Sequence, residues 1–357
     1  MTTEHTDLFS PLNLGCFRLR NRIVMAPMTR SRADDNGVPS RLAAIYYGQR
    51  ASAGLIITEG AYPSAMGKGY IRTPGIHSPE QLAAWRNVTD AVHTAGGLIF
   101  LQLMHAGRIS DPSFLPKGAT PIAPSAVRPE GSSFTDAGMK PFVTPRALEA
   151  VEIPVVVDEY RKATRHALEA GFDGVELHAA SGSLPEQFLS SKSNLRTDIY
   201  GGSVANRARF VLEVLEAMTG EAGSDRVGIK ISPEMNFNDI EDAQPVETYT
   251  HLVDGLARFR LAYLHVALFG TPTDYHALLR PRFEGRYFVG GGLTQQTATD
   301  LIERGRAHAA VFGTLFISNP DLPDRFRTHA ALSEPDKATF YTPGPAGYID
   351  YPSLTGI

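Results

Sequence analysis

A closed (β/α)8 barrel is the fold this sequence predicts, and three observations predict it. Eight short apolar runs recur along the chain, helical patterns lie between most of them, and polar residues gather where the runs end. The runs are 23–27 (IVMAP), 55–59 (LIITE), 98–103 (LIFLQL), 174–178 (GVELH), 227–232 (VGIKIS), 261–266 (LAYLHV), 286–290 (RYFVG) and 308–313 (HAAVFG). Runs that are apolar throughout suit parallel strands covered on both faces, and eight strand-helix units suit a closed barrel, with a doubly wound open sheet as the alternative.

The helical patterns fall at 40–52, 79–95, 154–170, 204–219, 246–259 and 294–304, with another at 320–331 after the last strand. Ser78 before Pro79 places a capping hydroxyl ahead of a proline at the first helical position, and Ile153-Pro154 opens a helix in the same way. Gly96, Gly171 and Gly305 stand where helices stop. Residues 8–22 predict an N-terminal hairpin closing the barrel bottom. Residues 104–153, rich in Pro and Gly, predict a loop excursion after the third strand that overhangs the active-site mouth. No linker or composition break divides the chain, so one domain over 1–357 is expected.

Composition excludes several function classes. The 357 residues carry 34 Lys+Arg against 38 Asp+Glu, a formal charge of −4, with 43% hydrophobic and 20% charged residues. That balance is globular, with no basic footprint for nucleic acid and no attraction to an anionic membrane. The single cysteine, Cys16, supplies neither an internal disulfide nor a thiolate metal site and points to a reducing, cytoplasmic location. The first ten residues lack the basic start and apolar run of a leader, and no apolar stretch reaches membrane-spanning length. The eleven histidines include no HExxH pair or other metal spacing, so no metal is expected.

Barrel enzymes place their chemistry at the C-terminal ends of the strands. Here those ends carry Thr29, Glu59-Gly60, Gln102 and His105, His178, Lys230, His265, Gly290-Gly291-Gly292 and Gly313-Thr314. Glycines after the last two strands let backbone N–H groups approach a phosphate, although a plain turn also explains such a run. Gln102 and Lys230 suit the polar edge of a planar heterocycle. Glu176 lies on the same strand face as His178, where a buried ion pair with Lys230 is the structural alternative. His178 and Ser181, at the point where strand gives way to loop, are placed to converge on one oxygen atom.

At these residues the sequence resembles the Old Yellow Enzyme family of FMN-dependent ene-reductases, over nearly the whole chain. The resemblance is carried by NRIVMAPMTRSRA at 21–33, ITEGAY at 57–62, LQLMHAGRIS at 101–110, GFDGVELH at 171–178, SNLRTDIYGGSVANRARFVLEV at 193–214, RVGIKISP at 226–233, ISNPDL at 317–322 and GYIDYPSL at 347–354. It implies a barrel holding FMN on its C-terminal face and NAD(P)H as reductant. Pro27, Met28, Thr29, Gly60 and Gln102 would contact the isoalloxazine, with Thr29 tuning its potential. Tyr70 and Tyr351 match aromatics lining the substrate pocket, and His178 matches the first of two side chains that hold the substrate oxygen.

The departures from the family pattern fall in the site. Ser181 replaces the second oxygen-binding residue, and Ser183 replaces the tyrosine that usually donates a proton to the α-carbon. Lys230 stands where an arginine reaches the flavin N1 edge, keeping charge but losing the planar fork, and Thr314 stands where an arginine clamps the phosphate. Met104 takes a position where Trp is common. Gly291, Gly292 and Gly313 would then carry more of the phosphate, and FMN binding is expected to be weak for the family.

The leading functional expectation is an FMN oxidoreductase reducing or desaturating an activated C=C bond of a small molecule, with His178 and Ser181 as oxyanion donors and Ser183 or water as proton source. The alternative is a flavin-poor barrel using His178, Lys230 and tyrosines for non-redox acid-base chemistry.

Overall fold

The structure is a computed structural model and describes residues 6–354. Residues 1–5, half of the stretch read for a leader, and residues 355–357 of the expected domain lie outside the described residues. In chain order the elements are β1 (Leu12–Leu14), β2 (Phe17–Leu19), β3 (Ile23–Met25), α1 (Arg41–Gly48), β4 (Leu55–Ile57), α2 (Pro79–Thr94) and β5 (Ile99–Leu103). The segment after β5 holds β6 (Ile122–Ala123), β7 (Ser132–Thr135), β8 (Gly138–Pro141) and β9 (Arg146–Ala147), followed by α3 (Ile153–Glu169), β10 (Gly174–Ala179), α4 (Leu184–Leu189), α5 (Val204–Ala222) and β11 (Val227–Ile231). The chain continues through α6 (Pro245–Leu256), β12 (Tyr263–Ala267), α7 (Tyr275–Leu279), β13 (Arg286–Gly290), α8 (Gln295–Glu303), β14 (Ala309–Phe312), α9 (Thr314–Ser318) and α10 (Leu322–Thr328).

Eight parallel strands close in the order β3-β4-β5-β10-β11-β12-β13-β14, with Ala310 of β14 opposite Ile23 of β3 completing the ring. That pairing excludes the open sheet. All eight expected strands form, and the helical patterns appear as α1, α2, α3, α5, α6, α8 and α10. The short helices α4, α7 and α9 had no visible pattern, because five or six residues give too few turns for a helical period to register.

Local chemistry sets the helix ends. At α2, Ser78 Oγ accepts from Gln81 N–H, and the Gln81 side chain returns the bond to the Ser78 backbone. Pro79 sits at the start of α2 and Pro154 in the first turn of α3, where their missing N–H groups cost nothing.

The barrel interior is built in layers, because alternate residues of each strand point inward. Near the strand starts the inward residues are apolar: Val24, Leu55, Phe100, Tyr263, Phe288 and Ala309 form one cluster with Leu12, Leu14 and Leu19 of the β1–β2 hairpin. Tyr263 stacks on Phe288 with centroids 4.4 Å apart. Gly228 makes room for this layer, since a Cβ there would lie 2.3 Å from the Tyr263 ring. Two residues further along the strands the inward positions become Gln102, Glu176, His265 and Gly290, followed by His178 and Lys230.

The excursion after β5 contains two helical turns, the parallel pair β6–β9 and the hairpin β7–β8. Arg108 donates to the Asp239 carbonyl (2.6 Å) and Glu130 N–H donates to the Asp239 carboxylate (3.3 Å), tying the excursion to the loop after β11. At the hairpin tip, Asp136 lies 3.7 Å from Arg72.

Candidate active site

Lys230 and His178 share a level at the C-terminal end of the barrel, because β10 and β11 pair with those two residues directly opposite, and Lys230 is in turn opposite His265. Glu176 sits one level lower, opposite Gln102. The proposed Glu176–Lys230 ion pair does not form among the described residues, because the Glu176 carboxylate is engaged by other partners. Glu176 instead accepts from Gln102 Nε2 at 2.8 Å and bonds His265 Nδ1 at 3.1 Å. Lys230 Nζ makes no hydrogen bond or ion pair among the described residues. Burial lowers its pKa, while the charges of Glu176 and Glu186 oppose that shift.

His178 is 6% exposed and its Nδ1 is buried without a hydrogen-bond partner. Its pKa is held well below the ordinary value by burial, then by the neighbouring Lys230 and His265, so the ring is neutral at physiological pH. A neutral imidazole still offers one N–H to an incoming oxygen. His105 is likewise buried with one ring nitrogen, Nε2, unpartnered. Its Nδ1 accepts from Gly107 N–H at 3.0 Å, and burial pushes its pKa down to about 3.

Thr29, Gly60 and Tyr70 line one narrow cleft with Tyr62, Gly67, Met104 and Ala106. Thr29 and the adjoining Pro27 and Met28 follow β3, and the Thr29 hydroxyl makes no hydrogen bond among the described residues. Gly60 has a steric reason to lack a side chain, because a Cβ there would lie 2.9 Å from Met104. On the far side Met28 approaches Gly313, where a Cβ would stand 3.4 Å from the Met28 sulfur.

The two glycines after β13 differ. Gly291 has φ +113° and a Cβ there would lie 1.8 Å from the Leu268 carbonyl oxygen, so the fold itself demands glycine. Gly292 has φ +65° and open space where a Cβ would be, leaving its backbone approachable by a ligand. Thr314 is exposed at the first position of α9.

The residues expected to act on substrate are arranged differently from the expectation. Ser181 adopts φ +53° and Gly182 φ +85°, a left-handed pair in which Asn is tolerated better than Ser. The Ser181 hydroxyl points to Met235 Sδ at 3.6 Å. The Ser183 hydroxyl is buried and donates to the His178 carbonyl at 2.7 Å, so the proton expected to serve the α-carbon is already committed. Its side chain has become a tie within the loop. The Tyr351 hydroxyl accepts from the Asp336 N–H at 2.8 Å within the C-terminal segment.

Three sets of residues escaped the sequence reading. Glu186 accepts from Gly182 N–H (2.6 Å), from Tyr249 OH (2.8 Å) and from Ser232 Oγ (3.3 Å), while Ser232 Oγ itself accepts from Ser181 N–H (2.9 Å). Burial raises its pKa to about 7 against these hydrogen bonds. The spacing Ser183-x-x-Glu186 was a legible capping signal, realised one residue early, since the carboxylate reaches Gly182 rather than Ser183. Asn238 donates to the Ser181 carbonyl at 2.8 Å and to Tyr70 OH at 3.2 Å, and no motif announced it. Arg30 and Arg32, buried beside Thr29, donate to carbonyls of Thr339, Phe340, Gly344, Ala346 and Gly347, fastening the C-terminal segment to the loop after β3.

An isoalloxazine needs hydrogen-bond donors along one edge and a phosphate needs exposed N–H groups. Thr29 and Lys230 supply unengaged donors and Gly292 an open backbone, so the residues fit FMN. Thr314, exposed at the start of α9, brings no charge to the phosphate.

Residues 7–333 match the model of the NADH:flavin oxidoreductase / NADH oxidase family. The chain is 42% identical to 12-oxophytodienoate reductase 7 of Oryza sativa subsp. japonica, covering 98% of this chain and 95% of the rice protein. It is 43% identical to a probable flavin mononucleotide-dependent alkene reductase of Leishmania infantum, covering 97% of each. Among solved structures, morphinone reductase superposes with a TM-score of 0.95 at 45% identity over 99% of this chain and 98% of that one. The old yellow enzyme homologue of Zymomonas mobilis gives 0.95 at 40% identity, over 98% and 100%. With its barrel closed in the same way and its sequence matched nearly end to end, the chain belongs to the NADH:flavin oxidoreductase / NADH oxidase family, the old yellow enzyme group.

Proposed function

We propose that this chain is an FMN-dependent oxidoreductase that uses NAD(P)H to reduce the activated C=C bond of an α,β-unsaturated carbonyl-like small molecule. The observation that carries the reading is His178, a buried neutral imidazole at the barrel mouth with an unpartnered ring nitrogen, one strand from a lysine whose ammonium has no partner among the described residues. Morphinone reductase has been solved in complex with tetrahydroNAD, which supports a nicotinamide as the reductant here.

In this reading Pro27, Met28, Thr29, Gly60, Gln102 and Lys230 hold the flavin ring, and N–H groups of Gly292 and Gly313 hold its phosphate, with Gly291 shaping the turn and Thr314 adding at most a hydroxyl contact. FMN, when bound, supplies the hydride. His178 donates a hydrogen bond to the substrate oxygen and stabilises the negative charge that develops there. Lys230 sets a positive potential beside it, which favours an enolate over a neutral ketone. The 104–153 excursion covers the mouth of a single domain and limits water at the reacting carbons. No helix among the described residues is long and apolar enough to cross a membrane. The lone exposed Cys16 fits a cytoplasmic home.

The test is spectroscopic. Purified protein, reconstituted with FMN, should show flavin absorbance that bleaches anaerobically with NADH or NADPH and returns when 2-cyclohexenone is added. A colourless protein that stays apo with excess FMN, yet turns over a substrate without nicotinamide, overturns the proposal.

A further inference from the structure

We propose that Tyr70 delivers the proton to the substrate α-carbon, with Asn238 holding its phenol oxygen, an assignment that rests on the alkene-reductase reading of the site. Adding hydrogen across C=C requires one proton from a group at the cleft. The hydroxyls that follow His178 in the chain are spent elsewhere, Ser183 on the His178 carbonyl and Ser181 on the Met235 sulfur. Tyr62, on the cleft wall, points its hydroxyl to the Asn36 carbonyl. Tyr70 shares the cleft with Thr29 and Gly60, and its phenol oxygen accepts from Asn238 while its own proton has no acceptor among the described residues. A phenol that accepts one hydrogen bond and has a free proton at the mouth is arranged as an acid.

Asn238 is fixed for this task from both sides. One N–H of its amide goes to the Ser181 carbonyl and the other to Tyr70 OH, so the turn that follows His178 and the phenol are held by a single group. Its backbone is left-handed, φ +59°, as is that of Asp239, and the buried Arg108 guanidinium anchors this stretch through the Asp239 carbonyl. Gly182 is the contact point, since a Cβ there would lie 2.5 Å from the Asn238 Cβ.

Hydride from the reduced cofactor adds to the β-carbon, the π pair of the C=C bond moves through the carbonyl to its oxygen, and His178 holds the resulting enolate. The enolate then re-forms the carbonyl as the α-carbon takes the Tyr70 proton. The phenolate left behind is stabilised by the Asn238 N–H and takes a proton from water. Asn238 is thus a positioning residue that makes the phenol a better acid, in line with its lowering effect on a Tyr70 pKa that burial raises.

Rapid mixing of the photoreduced, FMN-loaded enzyme with 2-cyclohexenone reads this step alone. Tyr70→Phe should slow flavin reoxidation by the enone about a hundredfold at saturating substrate, with the solvent deuterium isotope effect of that phase changed. A fluorotyrosine placed at position 70, more acidic than tyrosine, should move the alkaline limb of the pH profile downward, and Asn238→Ala should move it upward. An effect of Tyr70→Phe confined to the enone concentration dependence, or a pH limb that ignores both the fluorotyrosine and Asn238→Ala, overturns the assignment and leaves Tyr70 as pocket wall. Failure of the wild-type flavin to be reoxidised by any enone would instead strike the alkene-reductase reading, and Tyr70 with it.

Discussion

The lower and upper halves of the barrel interior are made by the same strands under the same alternation, yet they do opposite work. Below, Phe100, Tyr263 and Phe288 meet the hairpin leucines in a layer of apolar and aromatic groups whose one unpartnered polar atom among those named is the Tyr263 hydroxyl. Above, Glu176 bonds both Gln102 and His265, while His178 keeps a ring nitrogen unsatisfied inside the protein and the partly buried Lys230 has no partner among the described residues. Burying a polar group without a partner costs free energy, and a folded chain tolerates it where a ligand completes the bond. The lower layer therefore supplies the stability that the upper one consumes.

Phe288→Ala should have the largest effect. Removing a fully buried ring stacked on Tyr263 should cost about 3–5 kcal/mol of stability in a denaturant titration. A loss under about 1 kcal/mol would mean that the layer is not a packed core. His178→Ala should reverse the pattern, with stability retained or improved because an unsatisfied group is gone, while alkene reduction falls roughly 100- to 1,000-fold. A variant that unfolds more readily and still reduces enones would erase the distinction.

Smaller effects refine it at the rim. Thr314→Arg adds a charged fork beside Gly313 and should tighten FMN about tenfold in a fluorescence titration. Unchanged affinity would show that the phosphate is held by other groups. Glu186 carries a pKa raised to about 7 from 4.5, so the folded state binds its proton more tightly than the unfolded state does. Its contribution is most favourable below pH 4.5 and is lost progressively as pH rises to about 7. Glu186→Gln should remove that part of the pH dependence, roughly 3 kcal/mol across the window, with melting curves at several pH values as the measurement.

The barrel was legible because eight apolar runs and their helix signals are local, and so were the polar strand ends, since the alternation of a strand fixes which side chains face the mouth. His178, Gln102 and Lys230 fall where that logic put them. What the sequence hid were choices between partners. Glu176 had several polar candidates within reach, and its carboxylate is taken by Gln102 at 2.8 Å and His265 at 3.1 Å rather than by Lys230. A serine hydroxyl carries no sign of where it points, so the commitments of Ser181 and Ser183 to Met235 and the His178 carbonyl were invisible. Asn238 lies 57 residues from Ser181 and 168 from Tyr70, on a loop without periodicity, where only the fold brings the three together.

Arg30 and Arg32 join two stretches that are far apart in sequence into one mechanical unit. The loop that carries Thr29 follows the first barrel strand, whereas most of the carbonyls that receive the two guanidinium groups lie at 339–347, more than 300 residues away. A cut or deletion within 339–347 would therefore loosen the Thr29 loop without touching any strand of the barrel.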